Sequence, residues 1–244
     1  MNKLRITLYA CLLGVIVLPF LYLYAPVPPI FEYVKWRYHA APEIWIVPTP
    51  LAPDSEANPA AAKLNYFGYE FETPTVDVKE ERNFASGAIL NFSQCVGMTI
   101  IKPSSAVGLL GTLGPTAEAK QYLQNLLGQD AASNYAFRSA VLNQTPGDLR
   151  LWSSPRQMAR NSMLLRLKTI DSALFKSGLY SFHTPWMRGF QEGSLVPGQR
   201  AQIEAFDNQD RILTLIVALK PGKSCFGQTQ LNQIIFSLRP VPAS

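Results

Sequence analysis

From Ile6 to Ala25 the chain carries no charged side chain, and Leu, Ile and Val dominate the run. Twenty helical residues at about 1.5 Å each span about 30 Å, the thickness of a bilayer core. Gly14 and Pro19 fall inside it, and membrane helices tolerate both better than soluble ones. Tyr22 and Tyr24 sit near its far end, where aromatic rings favour the interface. The pattern predicts an uncleaved signal anchor over residues 1–25, held in membrane lipid through residues 6–25. A cleaved signal peptide needs a shorter apolar region and small residues before the cut. Leu23 and Pro26, on either side of Ala25, do not supply them. Lys3 and Arg5 before the run balance Lys35 and Arg37 after it, and the N-terminal amine tips the short tail inward. The bulk of the chain is therefore expected outside the cytoplasm, periplasmic or at the cell surface.

Residues 26–59 hold eight prolines, at 26, 28, 29, 42, 48, 50, 53 and 59. Proline fixes φ and removes a donor, so the stretch reads as an extended stalk. Within it, Phe31–Tyr38 interleaves aromatics with Lys35 and Arg37. That mixture suits a lipid headgroup layer, and equally a short turn of helix with no lipid contact. Residues 60–244 are long enough to bury about 70% of their unfolded surface in one globular domain.

In that domain, aromatic-rich Tyr66–Thr73 reads as a strand stopped by Pro74, and Ala88–Phe92 with Met98–Lys102 as a hairpin ended by Pro103. Gly108–Gly114 is a glycine-rich loop. Ala119, Tyr122, Leu123, Leu126 and Leu127 then share one helix face, with Gly128 as the stop. A second helix is expected after Ser133 and a third from Ser154-Pro155 to about Met163, where serine caps and proline opens the first turn. Leu165–Ile170 alternates and fits either its continuation or a strand. Leu179–His183 and Met187–Glu192 read as strands. Ala201–Phe206 and Ile212–Leu219 flank Asp207-Asn-Gln-Asp210 as the clearest hairpin, and Leu231, Ile234, Ile235 and Leu238 mark a last amphipathic helix. Strands at both ends with helices between predict an α+β fold, an antiparallel sheet flanked by helices, behind a single N-terminal transmembrane helix.

Composition narrows the chemistry. Apolar residues make up 48% of the chain and charged ones 16%, which excludes a disordered, solvating polymer. The net charge of +5 gathers in residues 138–200, with nine basic and three acidic side chains. Within that third, Arg150, Trp152, Arg156 and Arg160 lie close together, and Trp186 and Arg188 follow. Arg and Trp are enriched where proteins grip partners, so these six are the candidate ligand-binding residues. An anionic envelope component or a protein is the partner they would suit. The competing reading is a set of core tryptophans and solvated arginines. No nucleic-acid motif accompanies the charge, so no nucleic-acid partner is expected.

Catalytic signatures are sparse. Gly222-Lys-Ser224 lacks the earlier glycine of a phosphate loop, since Val217 occupies that position. The glycines at 108, 111 and 114 are not spaced for a dinucleotide, and no cofactor is expected. No G-x-S-x-G elbow occurs, and His183 is the only histidine of residues 60–244. A hydrolase would have to work through His183, which is carried as the alternative to a binding or assembly module. Cys95, Cys225 and His183 have no paired metal-ligand spacing, and no metal is expected. Cys95 and Cys225 are a disulfide candidate if the domain lies outside the cytoplasm.

Leu64-Asn-Tyr-Phe-Gly-Tyr-Glu-Phe-Glu-Thr-Pro74 is similar to the first strand of uncharacterised bacterial envelope proteins. Leu231-Asn-Gln-Ile-Ile-Phe-Ser-Leu-Arg239, after the Phe206–Asp207 hairpin, resembles the end of the Mog1/PsbP-like superfamily. The resemblance implies an antiparallel sheet flanked by helices and a binding or assembly role. That superfamily shares no catalytic residues, so none are transferred; residues 104–176 depart from its minimal form by extra helices.

Overall fold

The computed structural model describes residues 29–53, 62–74, 77–92, 95–104, 116–196, 198–220, 222 and 226–241. Strands β1 (Thr49–Pro50), β4 (Val78–Phe84), β5 (Gly87–Phe92), β6 (Val96–Ser104), β7 (Leu179–His183), β8 (Met187–Glu192), β9 (Arg200–Asp207) and β10 (Ile212–Leu219) form one sheet. Its order is β1-β7-β8-β9-β10-β6-β5-β4. Only the short β1–β7 pair is parallel; the other pairs of this sheet are antiparallel. A second, three-stranded sheet has the order β11-β3-β2, from β2 (Ala62–Tyr66), β3 (Tyr69–Thr73) and β11 (Arg239–Pro240). Five α-helices lie among the described residues: α1 (Pro29–His39), α2 (Ala117–Leu127), α3 (Asn134–Asn143), α4 (Pro155–Phe175) and α5 (Gln228–Ser237). The fold is α+β, as the pattern predicts.

Period-two alternation divides the large sheet into two faces. Ala201, Ile203 and Ala205 of β9 and Leu213, Leu215 and Val217 of β10 point to one side. There they meet Val96, Met98 and Ile100, the helix residues Leu231, Ile234 and Ile235, and Tyr69 and Phe71 of β3. On the other side Phe190 and Phe206 pack with Leu142 of α3 and Phe175 of α4. Gly189 sits where β8 passes β9 so closely that a Cβ would lie 2.1 Å from the Glu204 carbonyl oxygen. The site therefore admits only glycine without displacing backbone.

The helix ends follow the expected caps. Ser133 Oγ accepts from Ala136 N at 3.0 Å, and Ser154 forms a capping box with Gln157 at the start of α4. The clear hairpin has a further task. Asp210, in the loop between β9 and β10, accepts from the backbone N–H groups of Asn134 (2.5 Å) and Tyr135 (3.1 Å). A turn of the sheet thus satisfies orphan donors at the start of α3.

Four expectations are corrected. Tyr66–Thr73 is not one strand: the chain reverses at Phe67 (φ 55°) and Gly68 (φ 81°), and β2 pairs antiparallel with β3. Two consecutive positive φ values are the requirement of a tight hairpin turn. The third helix does not stop near Met163: α4 runs on to Phe175, so Leu165–Ile170 is its continuation. The β5–β6 hairpin does not end before Pro103; β6 continues to Ser104, and β4 extends the sheet beyond β5.

The fourth concerns the stalk. Much of residues 26–59 is folded onto the rest: α1, a 3-10 turn at Pro42–Trp45 and β1. Trp36 and Ile44 are buried with Leu149, Met158 and Leu165. Glu32 accepts from Trp36 Nε1 at 2.9 Å and pairs with Arg166 of α4. Lys168, wholly buried on α4, donates to the carbonyls of Ile46 (2.7 Å) and Gln144 (2.8 Å). Burial pulls its ammonium down to about 8. Proline stops regular structure where it falls, but it opened α1 and the 3-10 turn at their first positions. Among the described residues no helix is long and apolar enough to cross a membrane; residues 6–25 and the glycine-rich loop at 108–114 lie outside them.

Candidate functional site

A cleft of about 390 Å³ opens between α5 and the three-stranded sheet. Phe71 and Phe236 give it an apolar floor, and Trp186, half exposed, stands at one side. Thr229, Asn232 and Gln233 present hydroxyl and amide groups from α5. Lys63, Glu70, Glu72 and Arg239 also line it. These charges cancel in pairs: Lys63 Nζ lies 3.6 Å from Glu72, and Arg239 binds Glu70 across the β11–β3 register. The walls are joined by the Glu72 N–H, which donates to Ser237 Oγ at 2.8 Å, while that hydroxyl donates back along α5 to the Gln233 carbonyl at 2.6 Å.

Trp186 is placed by a tight turn between β7 and β8. Thr184 Oγ1 accepts from Trp186 N at 3.2 Å and from Met187 N at 2.9 Å. Those bonds fix the backbone and leave the indole free to face the cleft, a large, stiff surface at little cost in entropy.

The six residues marked from the sequence do not converge. Arg150 and Trp152, the latter 91% exposed, lie on the approach to α4. Arg156 donates to the Asn125 carbonyl, and Arg160 Nε to Asp130 Oδ2 at 2.6 Å. Both arginines fasten α4 to the end of α2 and the 3-10 turn Gly128–Ala131 that follows it. Arg188 lies 4.1 Å above the Tyr135 ring, on the α3 side of the sheet, whereas Trp186 lines the cleft on the α5 side. Only Trp186 of the six belongs to the cleft. His183 is exposed at the end of β7, opposite Arg188 in the ladder. Among the described residues no acid or nucleophile is hydrogen-bonded to it. Cys95 is disulfide-bonded; Cys225 lies outside the described residues.

Lys63, Glu70, Glu72, Asn232, Gln233 and Arg239 escaped the sequence reading. The Glu72–Ser237 bond and the Glu70–Arg239 pair join residues more than 160 positions apart. The one local sign was Glu70-Phe71-Glu72, acids alternating with an aromatic on a strand.

A second polar cluster lies inside the molecule, beneath α3 and α4. Arg138 meets Asp171 at 3.0 Å, Glu204 at 2.7 Å, and Glu192. One guanidinium thus faces three carboxylates. Burial first, and then the neighbouring Glu204 and Asp171, push the Glu192 carboxyl up to about 8, against the pull of Arg138. Glu192 Oε2 has no hydrogen-bond partner, which favours a proton there. The unfolded chain loses this proton near the ordinary 4.5 and the fold keeps it to about 8. The stability contributed by this group is therefore full below about 4.5 and falls as pH rises toward 8. Urea midpoints at pH 5 and pH 8.5 are expected to show this decline for the wild type, and a flatter profile for Glu192→Gln. Parallel profiles would refute it.

Comparison of the chain with protein-family models, with curated proteins and with solved structures finds no match.

Proposed function

We propose that this chain is a membrane-anchored binding module, held outside the cytoplasm by residues 6–25, whose cleft takes a neutral, polyhydroxylated ligand such as a saccharide segment. The observation that carries the reading is the cleft itself. Trp186, half exposed, and the partly buried Phe236 supply apolar surface for a ring to stack on. Gln233, Glu70 and Glu72 supply planar amide and carboxylate groups of the kind that grip neighbouring hydroxyls, while Asn232, buried, accepts from Gln228 Nε2 at 2.8 Å. Because Lys63 and Arg239 are already matched by acids, the cleft favours an uncharged ligand over an anion.

The disulfide at Cys95 supports placement outside the cytoplasm, since such bonds persist in oxidising compartments. We assign its partner as Cys225. Lys220 N donates to the Cys95 carbonyl at 2.8 Å, and the Phe226 ring lies 6.0 Å from that of Phe92. Residues on both sides of position 225 therefore flank Cys95.

The test is retention of the detergent-solubilised full chain on a panel of immobilised neutral and N-acetylated oligosaccharides. Trp186→Ala is expected to weaken binding at least tenfold, about 1.4 kcal/mol, with an unchanged unfolding midpoint. Binding that survives Trp186→Ala, or no binding to any member of the panel, would overturn the assignment.

A further inference from the structure

We propose that α1 is an interfacial helix whose outward face lies in the headgroup layer of the membrane and fixes the orientation of the domain above it. The inference rests on residues 6–25 being in lipid, as argued above. Helix α1 has two apolar faces instead of one. Glu32 and Trp36, four apart, are buried against α4, with Tyr33 beside them. On the opposite side Ile30, Val34 and Tyr38, each four apart, and Phe31 are all exposed, Phe31 at 53% and Tyr38 at 71%. Lys35 and Arg37 flank that outer stripe, one on each side. A helix with an apolar stripe bordered by cations is built to lie in an interface, rings inserted and ammonium or guanidinium groups on phosphates.

The identity of the covering surface follows from the chain. Ala25 ends the apolar run, and only residues 26–28 separate it from Pro29. Three residues reach at most about 10 Å, so α1 starts within the headgroup zone of the bilayer that holds the anchor. Nothing else need be recruited to cover the stripe. The inner face is not free to detach and insert, because Trp36 is buried against Met158 and Leu165 of α4 and Glu32 pairs with Arg166. Lipid therefore meets a helix already rigid with the domain.

The test uses the full chain reconstituted in vesicles of phosphatidylcholine and phosphatidylglycerol, with plain or brominated acyl chains. Phe31→Trp adds a fluorophore on the outer stripe of α1; Tyr122→Trp adds one on the exposed side of α2. The added emission of Phe31→Trp is expected to fall at least twofold in brominated vesicles, and that of Tyr122→Trp to change little. A chain that floats with the vesicles but shows no quenching at position 31, or equal quenching at both positions, overturns this inference and leaves the anchor standing. Position-31 emission that responds to protein density and not to bromine means a second copy covers the stripe, and overturns it too. A chain that does not float refutes the anchor, and this inference with it.

Discussion

Arg138→Ala is expected to lower the free energy of unfolding by about 3–5 kcal/mol, the usual cost of removing one partner from a buried ionic set. The guanidinium sits under α3 and α4 with Asp171, Glu192 and Glu204 around it. The carboxylates hold Arg138 above its ordinary value even though burial works the other way. Without it, Glu204 and Asp171 lose their counter-charge beside the protonated Glu192, and Glu192 and Glu204 are nearly without solvent. The fold can respond only by protonating them or by admitting water between the helices and the sheet. A control separates lost attraction from stranded charge. In Arg138→Met combined with Glu192→Gln and Glu204→Gln, no charge is left uncompensated at the sheet, and most of the loss should return. Urea titration at pH 7 measures both variants. A loss under 1 kcal/mol for Arg138→Ala would mean the cluster is wetter than its geometry indicates.

That cluster also marks where sequence reading stops. Leu165–Ile170 was ambiguous because its alternation includes Lys168, a charged residue that periodicity assigns to solvent. In the fold Lys168 is wholly buried, satisfied by carbonyls of residues 46 and 144. A lone lysine on a helix carries no sign of carbonyls 24 and 122 positions away. Glu192 and Glu204 carry no such sign either: both are buried on their strands and face Arg138 of α3.

What was legible was local. Ser133, Ser154-Pro155 and Gly128 mark helix ends because capping depends on neighbours three or four residues away. The Asp207–Asp210 loop marked a hairpin for the same reason. The proline count failed because it reports where a helix cannot continue, and Pro29 and Pro42 sit where one begins. Binding residues were sought where Arg and Trp are dense in sequence. Density there serves to tie α4 to α2, through Arg156 and Arg160. The cleft is instead made by α5, β3 and one turn of β7–β8, and only Trp186 could be named in advance.

Reduction of the disulfide is expected to cost about 2–5 kcal/mol of stability, and mapping is expected to link Cys95 to Cys225. Positions 95 and 225 are 130 apart, so the bond closes a long loop that contains α2, α3 and α4. In the chain-entropy account a loop on the order of 100 residues contributes about 4.7 kcal/mol, before any strain in the fold. The fold around Cys95 is well prepared for it: the residue is buried beside Val96, and β6 and β10 run in register from Leu219–Val96 outward. Losing the bond frees the end of that pair while leaving its hydrophobic contacts. The reduced chain should therefore remain folded at 25 °C but melt earlier and over a broader range. Thermal unfolding with and without dithiothreitol, and of Cys95→Ser and Cys225→Ser, measures the loss. Both variants should lose the same amount, and neither should respond further to reductant. A peptide map that joins Cys95 to Cys11 would move the bond to the membrane segment and withdraw the support it lends to the placement of the domain. An unaltered midpoint on reduction would show that the large sheet, closed by β6 and β10, holds without it.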